Sequence, residues 1–83
     1  MAFASVLVAG CASTAAPTEQ MAVARTAVSN AMNAGGNEFA PIQFKSASDK
    51  LSAAEKAMND RNYDLARTMA EQAEVDANLA AAT

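Results

Sequence analysis

The 83-residue sequence contains no histidine, no tryptophan and a single cysteine, Cys11. Without histidine we expect neither histidine-based catalysis nor a histidine-containing zinc site. One cysteine cannot form an internal disulfide. Basic residues are few, since six Lys and Arg stand against nine Asp and Glu. Because nucleic-acid binding needs a concentrated basic face, we expect no nucleic-acid partner.

Large apolar side chains are also scarce, although 52% of the residues are hydrophobic. Alanine accounts for 23 of these residues, and after Cys11 only fourteen larger apolar side chains remain to form a core. A core of this size leaves little net stability once the entropy of ordering the chain is subtracted. We therefore expect the domain to associate with itself or with an envelope protein.

The first ten residues carry no charge and include an apolar run of eight, Ala2–Ala9. This run is too short to span a bilayer, which takes about 20 residues, but it suits the apolar segment of a signal peptide. The motif Val8-Ala9-Gly10-Cys11 resembles the lipobox of bacterial lipoproteins. The resemblance implies residues 1–10 as a signal peptide and 11–17 as the lipidated cysteine and its flexible tether. Acyl chains on Cys11 would bind membrane lipid.

Hydrophobic periodicity and terminus signals predict three helices, over residues 18–34, 41–59 and 63–81. Thr18 and Asn62 are the expected N-caps of the first and third helices. Gly35 is expected to end the first helix, a non-helical connection over 37–40 follows, and Pro41 opens the second. We predict an all-α domain, a small antiparallel three-helix arrangement in which the second and third helices form a tight tetratricopeptide-like hairpin.

The spacing of apolar residues predicts the buried face of each helix. The three faces comprise Met21, Ala24, Val28, Ala31 and Met32; Phe44, Ala47, Leu51, Ala54 and Met58; and Leu65, Ala66, Met69, Ala70, Ala73, Ala77 and Ala80. Lys45 and Lys50 fall on the solvent side of the second helix. Val75 and Leu79 lie outside the core face of the third helix, so this pair needs a partner or exposure to solvent.

Four short blocks occur along residues 17–73: Pro17-Thr18-Glu19-Gln20, Phe39-Ala40-Pro41, KLSAAEKA over 50–57 and YDLARTMAEQA over 63–73. Their order resembles a family of alanine-rich bacterial lipoproteins with a helical domain of unknown function. The resemblance implies a lipid-anchored protein on the periplasmic side of the outer membrane, and Ala12 after the cysteine is similar to the outer-membrane class. In larger relatives the domain often precedes an OmpA-like domain.

Two groups of acidic and amide side chains have the composition of a metal site or a catalytic site. The first matches four ligand positions of a calcium loop: Asp60, Asn62, Asp64 and Glu71. Leu65 stands where that loop needs glycine, so we expect no metal. The second group, Glu71, Glu74 and Asp76, is expected to form a solvated acidic face and not a set of catalytic carboxylates.

These features predict an envelope protein with a structural or interaction role, attached to membrane lipid through acylated Cys11, without catalysis and without a cofactor. The alternative is a tetratricopeptide-like module that binds an envelope peptide or polymer in a groove with polar anchors. The two predictions differ in where the partner binds.

Overall fold

The structure is a computed structural model that describes residues 15–83. It contains four helices: α1 (Thr18–Asn33), α2 (Gly36–Phe39), α3 (Pro41–Asn59) and α4 (Tyr63–Ala82). No strand occurs within the described range. The three long helices are antiparallel to their neighbours in sequence, and α4 packs against both α1 and α3. The all-α prediction is confirmed, with each long helix within one residue of its predicted bounds.

The bundle has two distinct ends, which we call the base and the tip. The base is the end where α1 begins, α3 ends and α4 begins. The tip is the opposite end, where α1 ends, α2 lies, α3 begins and α4 ends. Because α4 has 20 residues, the two ends are about 30 Å apart.

The start of α1 differs from the predicted Thr18 cap. Thr18 is already the first helical residue, Pro17 occupies the N-cap position, and no side chain caps this end. Pro17 is buried, and its carbonyl accepts the first helical hydrogen bond, from Met21 N–H at 3.0 Å. This terminus is therefore marked by a buried proline and not by a hydroxyl cap.

The connection between α1 and α3 is a helical turn, so the prediction of a non-helical segment over 37–40 is wrong. Gly35 has a φ of 86°, the left-handed conformation expected of a glycine that ends a helix. Gly36 then begins α2 in close contact with α1 and α4. A Cβ added at Gly36 would lie 2.9 Å from the Ala31 carbonyl oxygen and 3.2 Å from Ala80 Cβ.

The turn between α3 and α4 closes with a Schellman motif. The N–H of Asn62 donates to the carbonyl of Ala57 at 2.8 Å, and the N–H of Arg61 donates to that of Met58 at 3.1 Å. Arg61 occupies the left-handed position with a φ of 62°, where glycine is the usual residue. Asn62 Oδ1 accepts from Leu65 N–H at 3.4 Å, which confirms its predicted capping role.

The core consists almost entirely of alanine methyl groups. It forms two clusters, one toward the base and one toward the tip. The basal cluster contains Met21, Ala24, Ala54, Ala70 and Ala73. The apical cluster contains Ala27, Ala31, Ala40, Ala47, Ala77 and Ala80. Small side chains on all three helices let the helix axes approach closely, which explains how the bundle packs with few bulky residues.

Three predictions about burial are wrong. Met32 is 54% exposed and Leu65 is 44% exposed, although both were placed on core faces. Lys50 was placed in solvent, yet its side chain is only 34% exposed because it contacts α4. The bundle is narrower than the predicted faces, so positions at the edge of each apolar stripe fall outside the core.

Candidate interaction surface

The large apolar side chains lie mainly outside the core. Of the fourteen identified after Cys11, only Met21 is fully buried. Seven are exposed, by 44 to 79%: Val23, Met32, Phe39, Ile42, Leu65, Val75 and Leu79. Single exposed apolar residues are ordinary on a soluble domain. In this domain the alanine methyl groups are buried, whereas half of the larger apolar side chains are exposed.

Four of these side chains lie at the tip or on the adjoining part of α4. Met32 is in the last turn of α1, Phe39 ends α2, and Val75 and Leu79 are one turn apart on α4. Val75 and Leu79 are 58% and 56% exposed, which confirms that they lie outside the core face. We call these four residues the apolar surface.

A shallow groove runs between α1 and α4. Its volume is about 350 Å³, and it is lined by Ala22, Val23, Thr26, Ala27, Asn30, Glu74 and Asn78. The floor is apolar, and two exposed asparagines lie on opposite helices at its sides. An asparagine amide can both donate to and accept from a peptide backbone. The groove therefore combines apolar side chains with amide groups that can form hydrogen bonds.

The predicted acidic face is only partly correct. Glu71 is exposed, but Glu74 accepts a hydrogen bond from Gln20 Nε2 at 3.0 Å. Asp76 accepts from Ser46 Oγ at 2.6 Å and from Lys50 Nζ at 2.8 Å. Two of the three carboxylates therefore join α4 to neighbouring helices, Glu74 to α1 and Asp76 to α3.

The Asp76 contact is the best-shielded ion pair among the described residues. Its side chain is 20% exposed. The hydrogen bonds from Lys50 and then Ser46 lower the pKa of the Asp76 carboxyl below its ordinary value of 3.8, against the opposing effect of burial. A carboxyl with a lowered folded pKa stabilises the fold above its unfolded pKa, and this stabilisation is lost as the pH falls.

We expect Asp76→Asn to lower the free energy of unfolding by about 1–2 kcal/mol at pH 7, because two hydrogen bonds to a charged acceptor are weakened. The difference from wild type should shrink as the pH falls below about 4 toward the folded pKa, where Asp76 becomes protonated. Urea denaturation followed by circular dichroism at pH 7 and pH 3 measures both. Asp49→Asn, in an exposed pair with Lys45, is the matched control and should change stability by under about 0.5 kcal/mol. An equal loss at both pH values would contradict the role given to the ionised carboxylate.

Three of the four calcium-loop positions have structural roles. Asn62 caps α4, Asp60 pairs with Lys56 at 3.0 Å, and Asp64 pairs with Arg67 at 3.5 Å. Within residues 15–83, no group of three or more acidic or cysteine side chains is arranged to hold a metal ion. The helical path from Tyr63 onward explains this, since it carries Glu71 two turns along α4, away from the turn.

Cys11, the predicted lipid attachment site, and the predicted signal peptide lie outside the described residues. The end of the predicted tether is described, and it is packed against the base, since Pro17 is buried. The carbonyl of Ala15 accepts a hydrogen bond from Arg67 Nη2 at 3.5 Å. None of the helices described has both the length and the apolar character needed to cross a membrane.

Sequence reasoning missed two features of this surface. Met32 and Phe39 are exposed, and Gly36 packs closely against Ala31 and Ala80, a contact that a motif of two glycines does not indicate. The groove lies along the α1–α4 contact, whereas the tetratricopeptide-like pattern that predicts a binding site lies in the hairpin of α3 and α4. Alternating Ala and polar residues in α1 could have indicated it.

The fold and this surface define a small all-α bundle with an alanine core and exposed larger apolar side chains. Residues 19–83 match the model of a domain of unknown function, DUF4398, and the chain belongs to this family. The comparison with curated proteins gave no match, and neither did the comparison with solved structures.

Proposed function

We propose that this protein is a lipid-anchored component of the bacterial envelope, attached through acylated Cys11 to the outer membrane and facing the periplasm. Its helical domain has a structural or interaction role and carries out no catalysis. The observation that carries the interaction role is the exposure of larger apolar side chains around an alanine core. The partner is an envelope protein that covers Met32, Phe39, Val75 and Leu79.

The anchor is supported by the resemblance of Val8-Ala9-Gly10-Cys11 to a lipobox and by the apolar run before it. One acyl chain binds a membrane only marginally, whereas two or three bind it stably. The packing of Pro17 against the base is consistent with an attachment near that end, because a short connection would keep the domain close to the bilayer.

The interaction role is supported by the energetics of the apolar surface. Covering a half-exposed valine or leucine side chain contributes on the order of 1 kcal/mol. Four such side chains supply a useful part of a binding energy without any catalytic group. Next to Val75 in sequence, Asp76 is paired within the domain with Lys50 at 2.8 Å.

We expect cells grown with radiolabelled palmitate to label the wild-type protein and to leave Cys11→Ser unlabelled, since only the thiol can form the thioether. Membrane fractionation should place the wild type with the outer membrane and Cys11→Ser in the soluble fraction. Ser13→Ala is the matched control and should be labelled as the wild type is. A wild-type protein that carries no label and fractionates with the cytosol would refute the anchor.

The same cells test the partner. A photoreactive residue at Leu79 should cross-link to one envelope protein, whereas one at exposed Ser29 on α1 should not. The alternative function, a tetratricopeptide-like module for an envelope peptide or polymer, is favoured by the groove with Asn30 and Asn78. Cross-linking from Asn30 and not from Leu79 would support that alternative and contradict the role of the apolar surface.

A further inference from the structure

The face of α3 directed away from the core carries charges in an alternating order. Lys45, Asp49 and Lys56 lie along it, and Asp60 follows at the C-cap. Within one chain they form two pairs, Lys45–Asp49 and Lys56–Asp60, each at 3.0 Å. Their side chains are 58 to 78% exposed, and exposed pairs of this spacing contribute only about 0.3–0.5 kcal/mol each. The intramolecular pairs alone therefore give little reason for the pattern.

We propose that this face binds the same face of a second copy, with the two α3 helices antiparallel. When the twofold axis passes between Ser52 and Ala53, Lys45 lies opposite the second copy's Asp60. In the same register Asp49 lies opposite the second copy's Lys56. A twofold interface repeats every contact, so four attractive charge pairs form between the chains.

Other arrangements of the same two helices bring like charges together. A slip of four residues in one direction places Lys45 opposite the second copy's Lys56. The opposite slip places Asp49 opposite the second copy's Asp60. Parallel pairing in register places each charge opposite its own copy. Since like charges in contact are destabilising, the sequence of charges favours the antiparallel register centred between Ser52 and Ala53 over these three arrangements.

The uncharged residues on this face fit the same register. Ser52 and Ala53 at the centre are small, so the two backbones can approach closely. Ile42 is 79% exposed, more than any other large apolar side chain described. It lies about one turn before Lys45, beyond the outermost charge pair at each end of the register.

The size of the face indicates a weak association. A helix of 19 residues presents a strip about 28 Å long, which places the interface among the smaller transient ones. Charges in solvent are screened within about 8 Å at physiological salt, so the pairing should weaken as salt rises. The face is separate from the apolar surface, and the proposal does not depend on the anchor.

Charge reversal tests the register, using sedimentation equilibrium of the full chain in density-matched detergent. The acidic variant is Lys45→Glu/Lys56→Glu and the basic variant is Asp49→Lys/Asp60→Lys. Each should dimerise at least about tenfold more weakly than wild type, which corresponds to 1.4 kcal/mol. An equimolar mixture of the two variants should recover a dimer, because opposite charges again face each other. Glu38→Lys/Glu71→Lys has the charge change of the basic variant but changes exposed residues on α2 and α4, and it should dimerise as wild type does.

Three results would overturn the proposal: a wild type that stays monomeric at low salt, variants that dimerise as wild type does, or a mixture that stays monomeric. Circular dichroism checks that each variant keeps its helicity. A second measurement uses no charge reversal. Ser52→Cys in a Cys11→Ser background should form a disulfide-linked dimer under mild oxidation, and Ser29→Cys should not. Equal cross-linking of the two cysteines would also count against the proposed interface.

Discussion

Ala77→Leu should destabilise the domain by about 3 kcal/mol, since a core of close-packed methyl groups has no room for three further carbons. Ala77 is 0% exposed and belongs to the apical cluster with Ala31, Ala47 and Ala80. Ala31, Ala47 and Ala80 all belong to helices and have side chains of a single methyl group. The added carbons can therefore be accommodated only if two helices move apart. A small domain has roughly 5 kcal/mol of stability in total, and this loss is a large fraction of it.

Urea denaturation followed by circular dichroism gives the measurement for Ala77→Leu. Ala22→Leu is the matched control, because Ala22 is exposed on α1 and the same change there should alter stability by no more than about 0.5 kcal/mol. If both variants unfold at the wild-type midpoint, the helices are not held together by close methyl contact, and the described core is wrong.

Met21→Ala should cost about 2–4 kcal/mol, the usual range for removing a large buried side chain. Met21 is 1% exposed and is the largest fully buried side chain in the domain. Leu51, Met58 and Met69 pack against its cluster. These flexible side chains can partly refill the space, which keeps the expected loss below the upper limit for a rigid cavity.

Met32→Ala provides the comparison for Met21→Ala, since it deletes the same atoms from a side chain that is 54% exposed. We expect its free energy of unfolding to remain within about 0.5 kcal/mol of wild type. A larger effect at Met32 than at Met21 would reverse the assignment of inside and outside in α1.

The helices were predictable because their signals are local. Pro41, Gly35 and Asn62 act within one turn of their own positions, and the structure agrees with each of them. The prediction that Thr18 is the N-cap is wrong, because the buried Pro17 occupies that position. A local capping rule does not consider burial in the folded domain. The prediction of a non-helical segment over 37–40 is wrong for a similar reason, because its helical path depends on the fit of Gly36 against Ala80.

Burial of the apolar residues was harder to predict. Periodicity places the most hydrophobic residues inside, whereas this core admits mainly small side chains. Ala47 and Ala77 were placed correctly, whereas Met32 and Leu65 were placed inside and lie outside. Likewise, the Asp76 contact with Lys50 joins residues 26 positions apart, beyond the reach of helix-face reasoning. The exposure of Val75 and Leu79 could be predicted, since both lie far from the alanine stripe of their own helix.

Because Ala15 accepts a hydrogen bond from Arg67 and Pro17 is buried at the base, only a short segment connects the domain to Cys11. Four residue steps separate Cys11 from Ala15, a reach of at most about 14 Å. In the proposed antiparallel dimer, acylated Cys11 residues would lie near opposite ends, so both could enter one bilayer only with the helices parallel to its surface. The twofold axis would then be perpendicular to the bilayer. With both α1 helices on the lipid side, Val75 and Leu79 of both chains would face the aqueous side.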